Sequence, residues 1–393
     1  MFSLNFKNKS NRYRQQITYT MGFILAVSTA LPAYIQSSFL AQYINLELTS
    51  LFFVINNLIT VVAIIFFPRF IKKLSNYFSA QLSIGIHGLA LLGLATLTNP
   101  ALVVISFLLF TVTTNLLWIN MDIFLEAASS NNKTGRIRTM YLTLTNIGWI
   151  LVPIFSAYLV KIGNYTLPFL ISAALIVPVF FILLIKKNNL KLSKKYKHEK
   201  ISKSIKKLWK NHDLRGIFIV ATLLQLFYSG AVLYMPLYLN QNLGIPWSDL
   251  GWMFAVMLLP FALFEIPAGY LADKYFGEKE IMSIGLFIIL VSLILFFFIE
   301  GATLWVWAAA LFMSRIGAAL VESMRDTYFF KNVNADDIGY INLFRITGPL
   351  GYIIGSAAAL LFLLFLPLNY LFLIFAAIMI PGFYYIGSIK DTK

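Results

Sequence analysis

Apolar segments long enough to cross a bilayer recur twelve times along this chain, and they dictate what it can fold into. About twenty mostly apolar residues, rising ~1.5 Å each, span the ~30 Å of hydrocarbon. The segments run approximately over 16–43, 49–71, 78–97, 101–128, 138–161 and 166–185, then over 214–239, 247–275, 280–299, 304–329, 338–364 and 370–389. Hydrocarbon offers no water to a free backbone N–H or C=O, so segments of this length and kind are helices. Apolar residues are 59% of the 393 positions, charged residues 12%, and the mean hydropathy is +0.78. Such a balance excludes a water-soluble fold and leaves no stretch for a sizeable soluble catalytic domain. The expected class is an all-α membrane protein with about twelve transmembrane helices.

The basic residues set the direction of the first crossing. If the N-terminus lies inside, cytoplasmic segments hold 28 of the 31 Lys and Arg, and Lys161 alone lies outside. Arg315 and Arg345 fall within predicted helices. Short loops rich in Lys and Arg stay in the cytoplasm, so both termini are expected there, in a plasma membrane of the bacterial inner-membrane kind. The same placement explains the net charge of +15 without invoking nucleic acid. Lys7, Lys9, Arg12 and Arg14 precede the first segment as in a signal peptide, but that segment is too long and lacks a small-residue cleavage site. It is expected to be a retained first helix. The long loop between the sixth and seventh segments carries twelve basic residues from Lys186 to Arg215. Within it Ile201, Ile205, Leu208 and Trp209 recur at helical spacing among lysines. That pattern fits either a helix lying on an anionic inner leaflet or a solvated basic linker.

Cysteine is absent, which removes disulfides and thiolate chemistry, and His87, His198 and His212 are scattered. No metal and no cofactor are expected. No phosphate-cradling glycine loop accompanies the helices, so ATP drive is not expected either.

Sliding the chain over itself by 200 positions aligns unusual features. Asp122 and Glu126 fall on Glu322 and Asp326, Gly148 on Gly348, Tyr34 on Tyr234, and Pro68 lies one place off Pro267. The expected organisation is a six-helix half over 1–185, a basic cytoplasmic linker over 186–213 and a second six-helix half over 214–393. In repeats of this kind the binding site is expected where they meet.

Residues 265–280 read E-I-P-A-G-Y-L-A-D-K-Y-F-G-E-K-E. This resembles the signature of the major facilitator superfamily, G-x-L-A-D-[RK]-x-G-[RK]-[RK]. Gly269, Leu271, Ala272, Asp273, Lys274, Gly277 and Lys279 match, with Phe276 as one extra spacer. The first-half counterpart, P-R-F-I-K-K-L-S-N-Y over 68–77, keeps the basic residues but has no Gly and no Asp. Two weaker resemblances are displaced to the second half. Residues 314–320, S-R-I-G-A-A-L, resemble a mid-membrane R-x-x-x-G element of helix four, and Gly348, Pro349, Gly351 and Gly355 resemble the Gly-Pro pattern of helix five in antiporters. The resemblance implies two pseudo-symmetric six-helix bundles, and it is silent on the solute. It also implies that Asp273 closes an inner-face clamp on a basic residue of the opposing half, for which Arg136 and Arg138 are nearest by pseudo-symmetry. The alternative is a topological anchor. Within the signature, Gly269 is expected to allow close helix approach and Gly277 a tight turn.

An ionised group in hydrocarbon costs roughly 3 kcal/mol or more, so each one asks for an explanation. The set comprises Asp122, Glu126, Glu265, Arg315, Glu322, Arg325, Asp326 and Arg345. Only Arg315 falls near a helix centre, and the others suit ion pairs on the inner face. By the resemblance, helices one, four, seven and ten line the cavity. Arg315 would then present a permanent cation to a carboxylate or phosphate. The competing expectation is a buried pair with Glu265 or Glu322. Asp122 and Glu322 occupy matching places and are the candidates for a coupling proton. Tyr34, Asn115, Gln225 and Tyr234 join Arg315 as substrate-binding candidates, with Gln36, Trp118, Asn120 and Tyr228 as further polar groups at that depth.

The function expected is a secondary active transporter that moves a small solute by alternating access, coupled to protons and acting as a monomer in a bilayer with an anionic inner leaflet. Efflux of a drug or metabolite and uptake of a nutrient are both open: sparse midplane charge and an aromatic cavity lean towards efflux of an amphipathic compound, whereas Arg315 leans towards an anion. The other classes are a polytopic membrane enzyme, for which no catalytic cluster is visible, and a non-transporting scaffold or sensor.

Overall fold

In the computed structural model the described residues are 2–128, 134–190, 201–301, 303–332 and 338–390, and every regular element among them is helical. The chain begins with α1 (Phe2–Ala33), α2 (Gln36–Leu40), α3 (Leu46–Thr96), α4 (Pro100–Ala127), α5 (Thr134–Gly163), α6 (Thr166–Ile185) and α7 (Lys187–Leu190). It continues with α8 (Ile201–Lys210), α9 (His212–Ser229), α10 (Met235–Leu237), α11 (Trp247–Lys274) and α12 (Glu278–Phe298). The last elements are α13 (Leu304–Asn332), α14 (Ile338–Phe362), α15 (Tyr370–Met379) and α16 (Gly382–Ser388). Ten helices among the described residues are long and apolar enough to cross a membrane. At 51 residues α3 is about 76 Å long, too long for one crossing, and its backbone breaks at Ser75. Counting its two arms separately and adding α1 gives the twelve crossings expected from the sequence.

Three predicted helices are broken. The first stops at Ala33 and resumes as α2, just past Pro32. The seventh carries π-helical turns over Gly230–Tyr234 and Tyr238–Asn242 on either side of α10. Such turns leave one residue out of the i→i−4 ladder and are found at functional sites. The last helix breaks at Pro381, whose missing N–H and ring cannot continue the helix.

Two compact units emerge, Met1–Ile35 with Val62–Lys197, and Gln36–Val61 with His198–Lys393. In the first, α1 packs on α4, α5 and α6. Hydroxyl groups stitch these contacts: Ser28 Oγ donates to the Ser172 carbonyl at 3.0 Å and Ser156 Oγ to that of Leu31 at 2.6 Å. Ala30, Leu31, Val152 and Leu159 form a buried cluster between the same helices. In the second unit α9 packs on α14, α15 and α16, and α13 lies against α11 and α12. Thus α9 pairs with α14 as α1 pairs with α5, which is the internal repeat seen in helix packing.

Glycines set the closest approaches. A Cβ on Gly148 would sit 3.3 Å from Ala26 and Val27 of α1. On Gly351 it would sit 2.4 Å from Gln225 Cβ and 2.6 Å from the main chain of Gln225 and Leu226 in α9. The packing counterpart of Gly148 is therefore Gly351. This corrects the sequence register, which paired Gly148 with Gly348, a residue whose Cβ would meet nothing within 4 Å.

Candidate functional site

Four charged residues of α13, Arg315, Glu322, Arg325 and Asp326, stand seven, ten and eleven residues along from the first. Two turns of helix take about seven residues and three take about eleven, so all four share one face. Across from them α9 presents Phe227 and Tyr228. The Tyr228 hydroxyl donates to Glu322 Oε2 in a short hydrogen bond, and Glu322 Oε1 lies 3.7 Å from Arg325 Nη2. Arg325 is buried, and its Nη2 and Nε reach Asp326 Oδ1 at 2.8 and 2.9 Å. Its guanidinium carbon lies 5.2 Å from the Phe344 ring centre. Arg325 is thus compensated by two carboxylates, and Glu322 by one hydroxyl and one guanidinium.

Arg315 is different. It is 1% exposed, its guanidinium carbon lies 5.0 Å from the Phe227 ring and 5.4 Å from the Tyr228 ring, and Nε and Nη1 meet no acceptor among the described residues. The expected pair with Glu265 or Glu322 does not form: no described carboxylate lies within ion-pair distance of Arg315. The physical reason is that Tyr228 and Arg325 hold Glu322 two turns away. Cation–π contact returns ~0.5 to 2 kcal/mol, whereas desolvating an ion costs several. The balance leaves a cation poised for an acceptor.

The remaining substrate candidates do not join this cluster. Tyr234 is fully buried in a π-helical turn, with its hydroxyl donating to Ser50 Oγ at 3.1 Å and its ring 6.4 Å from that of Phe375. Asn115 turns its amide back to the Thr111 carbonyl of its own helix at 3.0 Å. Gln225 is half-buried, its main chain pressed by Gly351, and Tyr34 is buried in the turn after α1. Asp122 is half-buried on α4. The first unit has its own polar set. Thr113 Oγ1 gives its proton to the Leu109 carbonyl at 2.6 Å and so accepts from His87 Nδ1 at 2.9 Å. Asn76 donates to the Asn120 carbonyl at 3.2 Å, and the buried Asn120 amide itself has no partner among the described residues.

A sequence model of the Major Facilitator Superfamily matches residues 17–251 and again 217–390. The chain belongs to the major facilitator superfamily. It is accordingly a multi-pass membrane transporter of a small-molecule solute. A comparison with curated proteins returns no match. Among solved structures, a crystal structure of a variant of the nucleoside transporter NupG is similar over 96% of this chain and 100% of that one. The TM-score is 0.74 at 15% identity, a likeness of fold.

The superfamily signature closes α11 and opens α12. Gly277 caps α12 with φ 124° and ψ 164°, a conformation that L side chains rarely adopt, so the turn expected of it is present. Gly269 is a correction: a Cβ there would meet nothing within 4 Å, so it mediates no close helix approach in this conformation. Lys274 is exposed and donates to the Tyr270 hydroxyl at 2.8 Å. The side chains of Asp273, Arg136, Arg138 and Glu126 lie outside the described ones. Sequence reasoning missed two residues. Phe227 reads as one more core aromatic, and its only signal was adjacency to Tyr228. Ser75, at φ 71° and ψ 159°, turns the chain between the arms of α3 in nearly the backbone geometry of Gly277, without the glycine that would have announced it.

Proposed function

We propose that this protein is a secondary active transporter working by alternating access, with Glu322 carrying the coupling proton. The observation behind this is the Tyr228–Glu322–Arg325 chain that joins two membrane-spanning helices. A carboxylate placed there keeps a partner in either state: ionised, it accepts from Tyr228 and faces Arg325, and protonated, it can still share a hydrogen bond with the phenol. Asp122, its counterpart in the repeat, is the second candidate. Halves over 1–185 and 214–393, joined by the linker over 186–213, would move against each other, with Asp273 and Arg138 forming the inner clamp.

In this reading both termini face the cytoplasm of a bacterial plasma membrane and the protein works as a monomer. The linker helix α8 suits the inner leaflet: Ile205 and Trp209, one turn apart, are exposed among Lys206 and Lys210, while Ser204 and Leu208 are buried. The site lends no support to efflux of a neutral amphipath, because it centres on a buried cation with no carboxylate in contact among the described residues.

The test uses purified protein in proteoliposomes, with a solute found by thermal-shift screening. An imposed pH gradient should drive uphill uptake or release of that solute, which also fixes the direction. Glu322→Gln should keep solute exchange yet lose the response to the gradient. Full gradient-driven movement in that variant would remove Glu322 from the coupling role.

A further inference from the structure

We infer that Arg315 anchors a small organic monoanion, a carboxylate carried on an apolar or aromatic body. The inference rests on the reading of this chain as a solute transporter and names what its site holds. Arg315 is more than nine-tenths buried, cannot shed its charge, and leaves Nε and Nη1 without an acceptor among the described residues. Buried donors on an ion are seldom left unmatched, because each costs about 1 to 3 kcal/mol or more. Neighbouring rings cannot serve, since Phe227 and Tyr228 approach the guanidinium but offer it no oxygen along an N–H.

Charge and shape then narrow the class. Arg315 and Arg325 together balance Glu322 and Asp326 on α13, but both carboxylates lie on Arg325, so Arg315 keeps no carboxylate in contact among the described residues. One carboxylate is enough to take up its two free N–H donors. Further negative charge would face Glu322, two turns along the same helix, which argues against a dianion. A carboxylate is planar and accepts two parallel N–H bonds from a guanidinium, which an ammonium could not supply as a fork. Phe227 and Tyr228 lie against the guanidinium, and the Phe261 ring is 6.4 Å from that of Tyr228, so the aromatic surface on that side favours an apolar body.

Access follows from the same tyrosine. Tyr228 is half-buried, lies over Arg315 and is tied to Glu322 by its hydroxyl. An anion taken up by Arg315 would share the guanidinium with a ring that a change at Glu322 would loosen. Solute and proton therefore act on one side chain from opposite ends.

The experiment measures melting of the full-length protein in detergent against acetate, butyrate, benzoate and decanoate, with benzamide as the neutral match to benzoate. At least one of the larger carboxylates should raise Tm saturably and benzamide should not. Arg315→Gln should abolish that rise, and Arg315→Lys, which keeps the charge but loses the fork, should weaken the apparent affinity by about tenfold or more. Without ligand, Arg315→Gln should melt no lower than the parent, because it removes an unmatched buried ion. The inference is overturned if no carboxylate shifts Tm, if Arg315→Gln shifts as the parent does, or if that variant unfolds and is rescued by Glu265→Gln or Glu322→Gln. Carboxylate binding at Arg315 without any flux in liposomes would leave this assignment standing and sink the transport reading instead.

Discussion

Among the described residues, the first unit buries its polar groups as amides, hydroxyls and one imidazole, whereas the second buries a chain of ions and a guanidinium with no carboxylate in contact. His87, Thr113, Asn76 and Asn120 are neutral or paired through hydrogen bonds, while Tyr228, Glu322, Arg325 and Asp326 share charge. Yet the helix pairing is the same, α1 on α5 in one and α9 on α14 in the other. The repeat thus preserves packing and lets chemistry diverge. Charges in hydrocarbon cost roughly 3 kcal/mol each, so among the described residues the second unit carries the larger share of that cost.

The strongest way to break this comparison is at the helix crossings. A methyl on Gly351 would press on the main chain of Gln225 and Leu226 at 2.6 Å, where nothing can rotate away, so Gly351→Ala should destabilise by about 3 kcal/mol. Gly148→Ala meets only side-chain carbons and a more distant main-chain nitrogen, from 3.3 Å, and should cost under about 1 kcal/mol. Melting temperature and monodisperse yield in detergent would compare them. Equal losses would mean that the two crossings are equally tight and that Gly148 and Gly351 do not differ as their surroundings indicate.

A second test sets Glu322 against Asp122. Glu322→Gln should reduce gradient-driven flux by about tenfold or more, the size of an ordinary coupling free energy. Asp122→Asn, on a helix without the Tyr228 and Arg315 arrangement, should reduce it clearly less. If Asp122→Asn proved the more damaging, the chemistry would not be confined to the second unit.

What the sequence disclosed and what it hid have separate physical causes. Helix number was legible because hydrocarbon thickness acts on every segment alike. The clustering of Arg315, Glu322, Arg325 and Asp326 was legible from helical spacing. That Arg315 goes unpaired was not, since it depends on Tyr228 of α9 capturing Glu322 of α13, a contact between segments 94 residues apart. The π-helical turns around α10 were hidden too, because an extra residue per turn leaves an apolar stretch looking apolar. Asn115, Gln225 and Tyr234 drew notice as polar groups at the right depth, but rotamer and neighbours decide where such groups point.

The turns at Ser75 and Gly277 offer a smaller, signed effect. Ser75 occupies φ 71°, ψ 159°, where only glycine is comfortable, and Gly277 occupies φ 124°, ψ 164°. Ser75→Gly should therefore stabilise by about 1 kcal/mol, and Gly277→Ser should destabilise by a similar amount. A Ser75→Gly variant that melts lower would mean that the serine side chain, not the backbone, holds that turn.

Gly269→Ala carries the smallest expected effect on stability and the sharpest reading of the signature. No atom lies within 4 Å of a Cβ there, and the position is inside α11, where alanine is favoured over glycine by about 1 kcal/mol. The variant should melt at the parent temperature or slightly above it, in contrast to Gly351→Ala. Flux then separates two roles for the same residue. Unchanged flux would mean that Gly269 is free to vary and that the signature acts through Gly277 and its charges alone. Reduced flux in a protein that melts no lower would mean that α11 makes its close contact in another state of the cycle, where the methyl collides with a helix that stands clear of it in this one. A lower melting temperature would contradict the open surroundings of Gly269 and, with them, the distinction drawn between a glycine that packs and one that leaves room to move.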